Sequence, residues 1–280
     1  MRNVDDAVVD GFGDEWSRFD QSEVPELETQ QRFEEYFGIF PWHELPPAAV
    51  GLDLGCGSGR WARLVAPRVG RLLCFDASRA AADVAKRMLA GVENAEVAVA
   101  AIDELPVPDA SADFAYSLGV LHHIPDTGAA LRACVRKVRP GAPFLVYLYY
   151  RFDNRPAWYQ RLWQLSEVIR HTVSRSPKAI RYAVSQFFAA TVYWPLSRLA
   201  SVAERIGIRV ESFPLAYYRN RSFYMMRTDA LDRFGTRLEQ RFTRAEIESM
   251  MRDAGLVDIV FSPRAPFWVA MGRRQSSRVK

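Results

Sequence analysis

Cysteine is scarce in this chain of 280 residues, and its three copies, Cys56, Cys74 and Cys134, make no C-x-x-C pair. That odd number and spacing exclude a disulfide scaffold and a structural zinc site, and they fit a reducing, cytoplasmic setting. Histidine occurs four times, at His43, His122, His123 and His171, with no carboxylate–histidine cluster at ligand spacing, so no metal is expected. An excess of one charge is also missing. The balance of 37 Lys and Arg against 33 Asp and Glu leaves +4, too little to make nucleic acid the expected partner. No apolar run is long enough to span a bilayer, because the most apolar stretch, VSQFFAATVYWPL over 184–196, is short and interrupted by Ser185, Gln186, Thr191 and Pro195. Any membrane contact is then peripheral. The opening MRNVDDAVVDGFGDEW has no apolar core and reads against a secretory leader.

What is present is globular: 49% hydrophobic, 12% aromatic and 25% charged. Residues 1–46 read as an entry segment with helical spacing from Glu26 to Phe40, stopped near Pro41. From Val50 onward short apolar runs (AVGLDLGC, RLLCFDAS, EVAVAAI, DFAYSLGVL, PFLVYLYY) alternate with segments of helical period, the pattern of a parallel sheet with crossover helices. Ala81, Val84, Ala85 and Met88 share one helix face, and so do Leu131, Cys134, Val135 and Val138 ahead of Pro140-Gly141. Between 151 and 227 the alternation gives way to an aromatic, helical stretch with 13 Lys and Arg against 4 Asp and Glu, a local +9 that leaves −5 elsewhere. The sheet pattern resumes with a capping box at Thr243 and Glu246, a helix with Ile247, Met250, Met251 and Ala254 on one face, and two last apolar runs, LVDIVFS and PFWVAMG. The expected organisation is an entry segment over 1–46, a core domain of 47–150 and 231–274, a helical insert over 151–230 and a basic tail at 275–280.

The sharpest signal is VGLDLGCGSG, a strand carrying Asp53 and then Gly55, Gly57 and Gly59 leading into a helix. Glycines so spaced let the backbone turn tightly and approach a ligand. A dinucleotide fingerprint needs glycine where Arg60 stands, and a phosphate-cradling loop needs G-K-[ST], which SGRWA lacks. The second strand ends in Asp76, placed to take both hydroxyls of a ribose. Together these point to a nucleoside-bearing ligand. The plainer alternative is that Asp53 caps the loop and the glycines serve helix–sheet packing.

D-L-G-C-G-S-G with its later acid closely resembles the class I S-adenosylmethionine-dependent methyltransferases of small-molecule type. The resemblance continues through DELPVPDASADFAYSLGVLHHIPD and KVRPGAPFLVYLY, covering 50–150 and 243–274. It implies an α/β, Rossmann-like, doubly wound and mostly parallel sheet, with an N-terminal helical segment and a helical cap inserted after the fifth strand. It implies S-adenosyl-L-methionine as cofactor, with Asp53, Gly55, Cys56, Gly57 and Gly59 beneath the methionine moiety, Asp76 and Ala77 at the ribose, Ala101, Ile102 and Asp103 beside the adenine, and Leu118 on the sulfonium side. Where the family often has an aspartate to accept from the adenine amino group, this chain has Ala101, which leaves backbone groups or Asp103 for that contact.

Methyl transfer needs orientation, a dry pocket and, for a hydroxyl acceptor, a base. His122 and His123, after the fourth strand, are the base candidates; the alternative is that both are structural. Tyr149, Tyr150 and Arg151 follow the fifth strand, and Tyr217, Arg219, Arg221 and Arg227 interleave rings with cations, so these are the candidates for acceptor contacts. Phe12, Trp16 and Phe19 are expected to close over the cofactor. The expected activity is methylation at oxygen or nitrogen of a small-molecule acceptor, such as a metabolite, sugar or lipid-linked intermediate, drawn in as an anion by the cationic insert. The alternative is a non-catalytic adaptor whose basic, aromatic insert binds a protein or membrane surface.

Overall fold

The computed structural model describes residues 2–276, so the tail expected at 275–280 lies outside the described residues from 277 on. The chain divides into two compact units, one of residues 1–21, 31–150 and 238–280 and one of 22–30 and 151–237. Each is described by itself.

The first unit is built on seven strands: β1 (Val50–Leu54), β2 (Arg71–Asp76), β3 (Ala95–Val99), β4 (Phe114–Leu118), β5 (Pro143–Tyr147), β6 (Leu256–Phe261) and β7 (Val269–Arg274). Their order is 3-2-1-4-5-7-6, with β7 alone running against the direction of the other six. This is the mostly parallel sheet expected from the alternation, in the doubly wound order that the resemblance implies. The order reverses between β1 and β4, and such a switch point opens a crevice beyond the carboxyl ends of those strands.

Both faces of the sheet are covered, which is why the strands read as apolar runs rather than as alternating patterns. On one face α5 (Thr127–Lys137) and α10 (Arg244–Asp253) bury Leu131, Cys134, Ile247 and Met251 against Leu52, Phe144 and Val146. On the other, α3 (Ala62–Val65) and α4 (Arg79–Met88) join an aromatic layer of Phe33, Phe37, Trp61, Phe114 and Tyr116. Helix ends follow local chemistry. Thr243 and Glu246 form the capping box of α10, and Ser78 and Asp126 cap α4 and α5 by accepting from Ala81 and Ala129 amides.

Two helices precede the sheet, α1 (Asp6–Arg18) and α2 (Glu26–Phe37), and the C-terminal half of α2 supplies Phe33 and Phe37 to the aromatic layer. The second unit is helical: α6 (Ala157–Val173), α7 (Lys178–Phe188), α8 (Trp194–Arg205) and α9 (Phe223–Gly235). Helix α9 runs past residue 230 and keeps 231–237 with this unit, because Ala230 and Phe234 pack with Val173, Tyr193 and Met226. Among the described residues no helix is long and apolar enough to cross a membrane.

Candidate functional site

The loop between β1 and α3 is drawn across the end of β2 by its own backbone. Gly55 and Cys56 both donate their amide hydrogens to the Phe75 carbonyl, at 2.8 and 2.9 Å. Gly55, Gly57 and Gly59 stand at φ of +88°, +54° and +79°, the left-handed region that side chains with a Cβ rarely adopt. A Cβ would lie 2.4 Å from Val120 at Gly55 and 2.9 Å from Trp16 at Gly57. Space as well as torsion therefore demands glycine at both positions.

Two carboxylates frame this loop. Asp76 accepts from the Gly57 amide at 2.9 Å on one oxygen and from the Ser78 amide at 2.8 Å on the other. Burial raises its pKa, and these two amides oppose the rise. Each oxygen retains a second lone pair, so the group can still accept from a diol. Asp53 is 2% exposed and accepts from the Tyr116 hydroxyl at 2.8 Å. Burial pushes it up to about 7 against the pull of that hydrogen bond, and the charge of Asp76 adds to the rise. A carboxyl poised there ionises when a cation is brought beside it. The Cys56 thiol, also buried, is held well above its ordinary pKa and stays protonated.

Ala77 lies half-buried between Asp76 and the α4 cap. Ala101 and Ile102, after β3, are buried, whereas Asp103 is exposed and accepts from the Asn3 amide at 2.9 Å. Leu118 ends β4 and is buried in the aromatic layer. Residues 2–18 lie along this edge. Arg2 pairs with Glu104 at 3.1 Å, and Asn3 exchanges two hydrogen bonds with the Asp126 backbone at 2.8 and 2.9 Å. In α1, Trp16 covers Gly57, and Phe12 meets His123 edge-on at 4.8 Å. Phe19 is itself buried, at 2% exposure. The Arg60 guanidinium lies 5.3 Å from the Trp16 ring and 4.8 Å from the Trp61 ring.

His122 and His123 follow β4 in a short turn, and both are buried. The Tyr149 amide points at His122 Nδ1 at 3.4 Å, so that nitrogen bears the lone pair and Nε2 the hydrogen. Burial pushes His122 well below its ordinary pKa, and it stays neutral. His123 Nδ1 lies 2.8 Å from the Leu238 carbonyl, which can only accept. That assigns the hydrogen to Nδ1 and leaves Nε2 as the basic nitrogen. Tyr149 stacks on His122 at 3.9 Å, with the Arg241 guanidinium 5.1 Å from its ring, and Tyr150 lies beside Phe267 at 5.8 Å.

The remaining candidates belong to the second unit and have partners within it. Arg219 pairs with Glu204 at 2.8 Å, Arg221 lies 4.9 Å from the Tyr217 ring, and Arg227 donates to Gln186 at 2.6 Å and to the Tyr182 hydroxyl at 2.9 Å. Arg151 is exposed at the start of this unit.

Three residues at the site escaped the sequence reading. Tyr116 looks like one more core aromatic in a buried strand, and only its pairing in register with Asp53 shows a polar role. Asn3 and Arg241 meet partners more than 90 residues away, and such contacts leave no local pattern. Among the described residues no group of three or more His, Cys, Asp or Glu side chains is arranged to hold a metal ion.

The left-handed glycine cradle, the Asp76 acceptor beside it and the buried Asp53 form a donor and acceptor set that fits S-adenosylmethionine. Residues 52–146 match the family model described as a methyltransferase domain. A ubiquinone biosynthesis O-methyltransferase from Alkalilimnicola ehrlichii is 30% identical over 136 residues, covering 48% of this chain and 45% of the relative. A malonyl-[acyl-carrier protein] O-methyltransferase from Serratia marcescens is 32% identical over 99 residues, covering 35% of this chain and 38% of the relative. The chain thus spans less than half the length of these curated relatives. The crystal structure of a SAM-dependent methyltransferase from Methanosarcina mazei is similar in fold at a TM-score of 0.52 and 16% identity, covering 85% of this chain and 99% of that one. The chain therefore carries a methyltransferase domain over residues 52–146, built on this glycine loop and strand order.

Proposed function

We propose that this chain transfers a methyl group from S-adenosylmethionine to a small-molecule acceptor. The observation that carries the reading is the tie between Asp76 and the Gly57 amide at the switch point of the sheet, which sets a diol acceptor beside a backbone cradle. Asp53, Gly55, Cys56, Gly57 and Gly59 would lie under the methionine end, Asp76 and Ala77 at the ribose, Ala101 and Ile102 beside the adenine, and Leu118 on the sulfonium side. When bound, the cofactor supplies a methyl group on a sulfonium sulfur and a neutral thioether as leaving group.

The work left to the chain is to orient the acceptor, exclude water and receive a proton. His123 is the base we assign to a hydroxyl acceptor, because its Nδ1 is committed to the Leu238 carbonyl and its Nε2 holds the lone pair. His122, neutral and stacked on Tyr149, positions that ring and the turn. The two relatives described above are named O-methyltransferases, which favours oxygen over nitrogen as the acceptor atom and catalysis over a non-catalytic adaptor.

Calorimetry with S-adenosylmethionine and with its demethylated product tests the cofactor assignment, and a screen of candidate acceptors with methyl-labelled cofactor tests the transfer. Binding of both nucleosides with label appearing in an oxygen-bearing acceptor is the expected result. Failure of both to bind would sink the enzymatic reading.

A further inference from the structure

The second unit has more apolar surface than its own packing uses. Its helices already have inward faces: Val173 of α6, Met226 and Ala230 of α9 and Tyr193 form one small core, and Ala200 of α8 packs with Val210 and Ala216 in another. The opposite faces are apolar as well. On α6, Trp158, Leu162 and Leu165 recur at i, i+4 and i+7 and are 51%, 48% and 66% exposed. At the end of α8, Leu199, Val202 and Ile206 recur at i, i+3 and i+7 and are 63%, 55% and 71% exposed. Of the large apolar side chains exposed among the described residues, all but Val99 and Val260 belong to this unit. Exposed apolar side chains concentrated in this way on the helices of one unit mark an interaction site.

Charge identifies the occupant. The second unit, residues 22–30 and 151–237, holds 15 Lys and Arg against 9 Asp and Glu. Two of those acids are engaged inside the unit, Glu167 by Arg170 at 2.9 Å and Glu204 by Arg219 at 2.8 Å. Exposed Arg161 and Arg205 flank the two apolar stripes. An apolar face with tryptophan in it and arginines along its margins is the composition of a helix lying in the plane of a lipid interface. A second copy of this chain is a poorer occupant, because it brings a surface of the same positive sign against this one.

We propose that these exposed helix faces of the second unit bind the surface of a membrane rich in anionic phospholipid. The apolar stripes enter the boundary between headgroups and acyl chains, and the arginines pair with lipid phosphates. The proposal is independent of methyl transfer and would hold for a chain without activity.

Co-sedimentation of the full chain with vesicles of phosphatidylcholine, alone or mixed with phosphatidylglycerol, tests it. Partition should be at least about tenfold stronger onto the anionic vesicles and should fall steeply as salt approaches about 0.5 M. Leu165→Glu with Leu199→Glu should weaken partition by roughly tenfold or more, because the apolar part of the attachment is lost. Both side chains are largely exposed, so an unchanged thermal transition and cofactor affinity are expected and serve as the folding control. Arg161→Glu with Arg205→Glu should abolish the preference for anionic lipid. Equal sedimentation with and without vesicles, or no preference between the two lipid compositions, would overturn the proposal. So would a concentration-dependent dimer, seen by analytical ultracentrifugation, that the leucine substitutions dissociate while vesicles capture nothing.

Discussion

Tyr116 donates its hydroxyl hydrogen to Asp53 at 2.8 Å between two neighbouring strands, and neither side chain reaches water. Burial holds the carboxyl in the fold at a pKa of about 7, against an ordinary 3.8, although this hydrogen bond pulls it down. A carboxyl with a raised pKa binds its proton more tightly folded than unfolded, so its contribution to stability is complete below about pH 4 and is lost as pH rises through about 7. Melting temperatures measured across that window should fall with pH in the wild type and fall less in Asp53→Asn, which keeps the acceptor without the titration. Parallel profiles for the two proteins would show that Asp53 does not titrate in the fold. In the cofactor complex the balance shifts toward the carboxylate, so affinity for S-adenosylmethionine should rise with pH over the same range and lose that dependence in Asp53→Asn.

Asp76 serves two backbone amides as well as the proposed ribose. Asp76→Ala leaves the Gly57 and Ser78 amides without their acceptor, at about 1–3 kcal/mol for each one that stays buried and unpaired. Loss of the charged acceptor to the ligand should weaken cofactor binding roughly tenfold to a hundredfold. Calorimetry read beside the melting temperature separates the two effects. Ser78→Ala, which keeps the carboxylate, should cost stability through the α4 cap alone and leave affinity in place. An Asp76→Ala variant that melts earlier yet binds as tightly as wild type would assign the residue to loop closure only.

Gly57 and Trp16 constrain each other. Gly57→Ala puts a Cβ 2.9 Å from the indole at a φ of +54°, so it meets a steric and a torsional penalty together. Adding Trp16→Ala removes the first and leaves the second, about 1–2 kcal/mol for a left-handed residue with a Cβ. The double variant should therefore be more stable than the sum of the single losses implies. Additive losses in thermal denaturation would show that the ring moves away without cost.

The strands were legible because a sheet covered on both faces writes itself as apolar runs, and the switch in period marked the crossover helices α4 and α5. The cradle was legible from its glycines, since few other residues tolerate those torsions. The last strand opens at Val269 instead of at Pro266, where the apolar run begins, because ladder pairing with β5 starts only after the turn at 262–268. The Asn3–Asp126 clasp and the Tyr116–Asp53 bond were illegible for a common reason. A hydrogen bond across 60 residues or more depends on strand register and on where the N-terminal segment lies, and neither is encoded in the residues beside it. The arginines at 219, 221 and 227 advertised charge, yet their partners Glu204, Tyr217, Gln186 and Tyr182 became visible only in the packed helices.

The adjacent histidines should separate cleanly in kinetics. His123→Gln can still donate to the Leu238 carbonyl but offers no basic nitrogen, so for a hydroxyl acceptor kcat should fall by about a hundredfold to ten-thousandfold with cofactor affinity unchanged. His122 is neutral and packed between the His123 and Tyr149 rings, at 4.0 and 3.9 Å between centroids. His122→Gln should therefore act through packing, lowering the melting temperature more than kcat, and His122→Phe should restore part of the stability. Titration with S-adenosylmethionine provides the control in both variants, because neither ring belongs to the glycine cradle. If His123→Gln retains the wild-type kcat with a hydroxyl acceptor, the histidine is a structural brace on the turn after β4. The acceptor must then reach the cofactor already deprotonated or lose its proton directly to water.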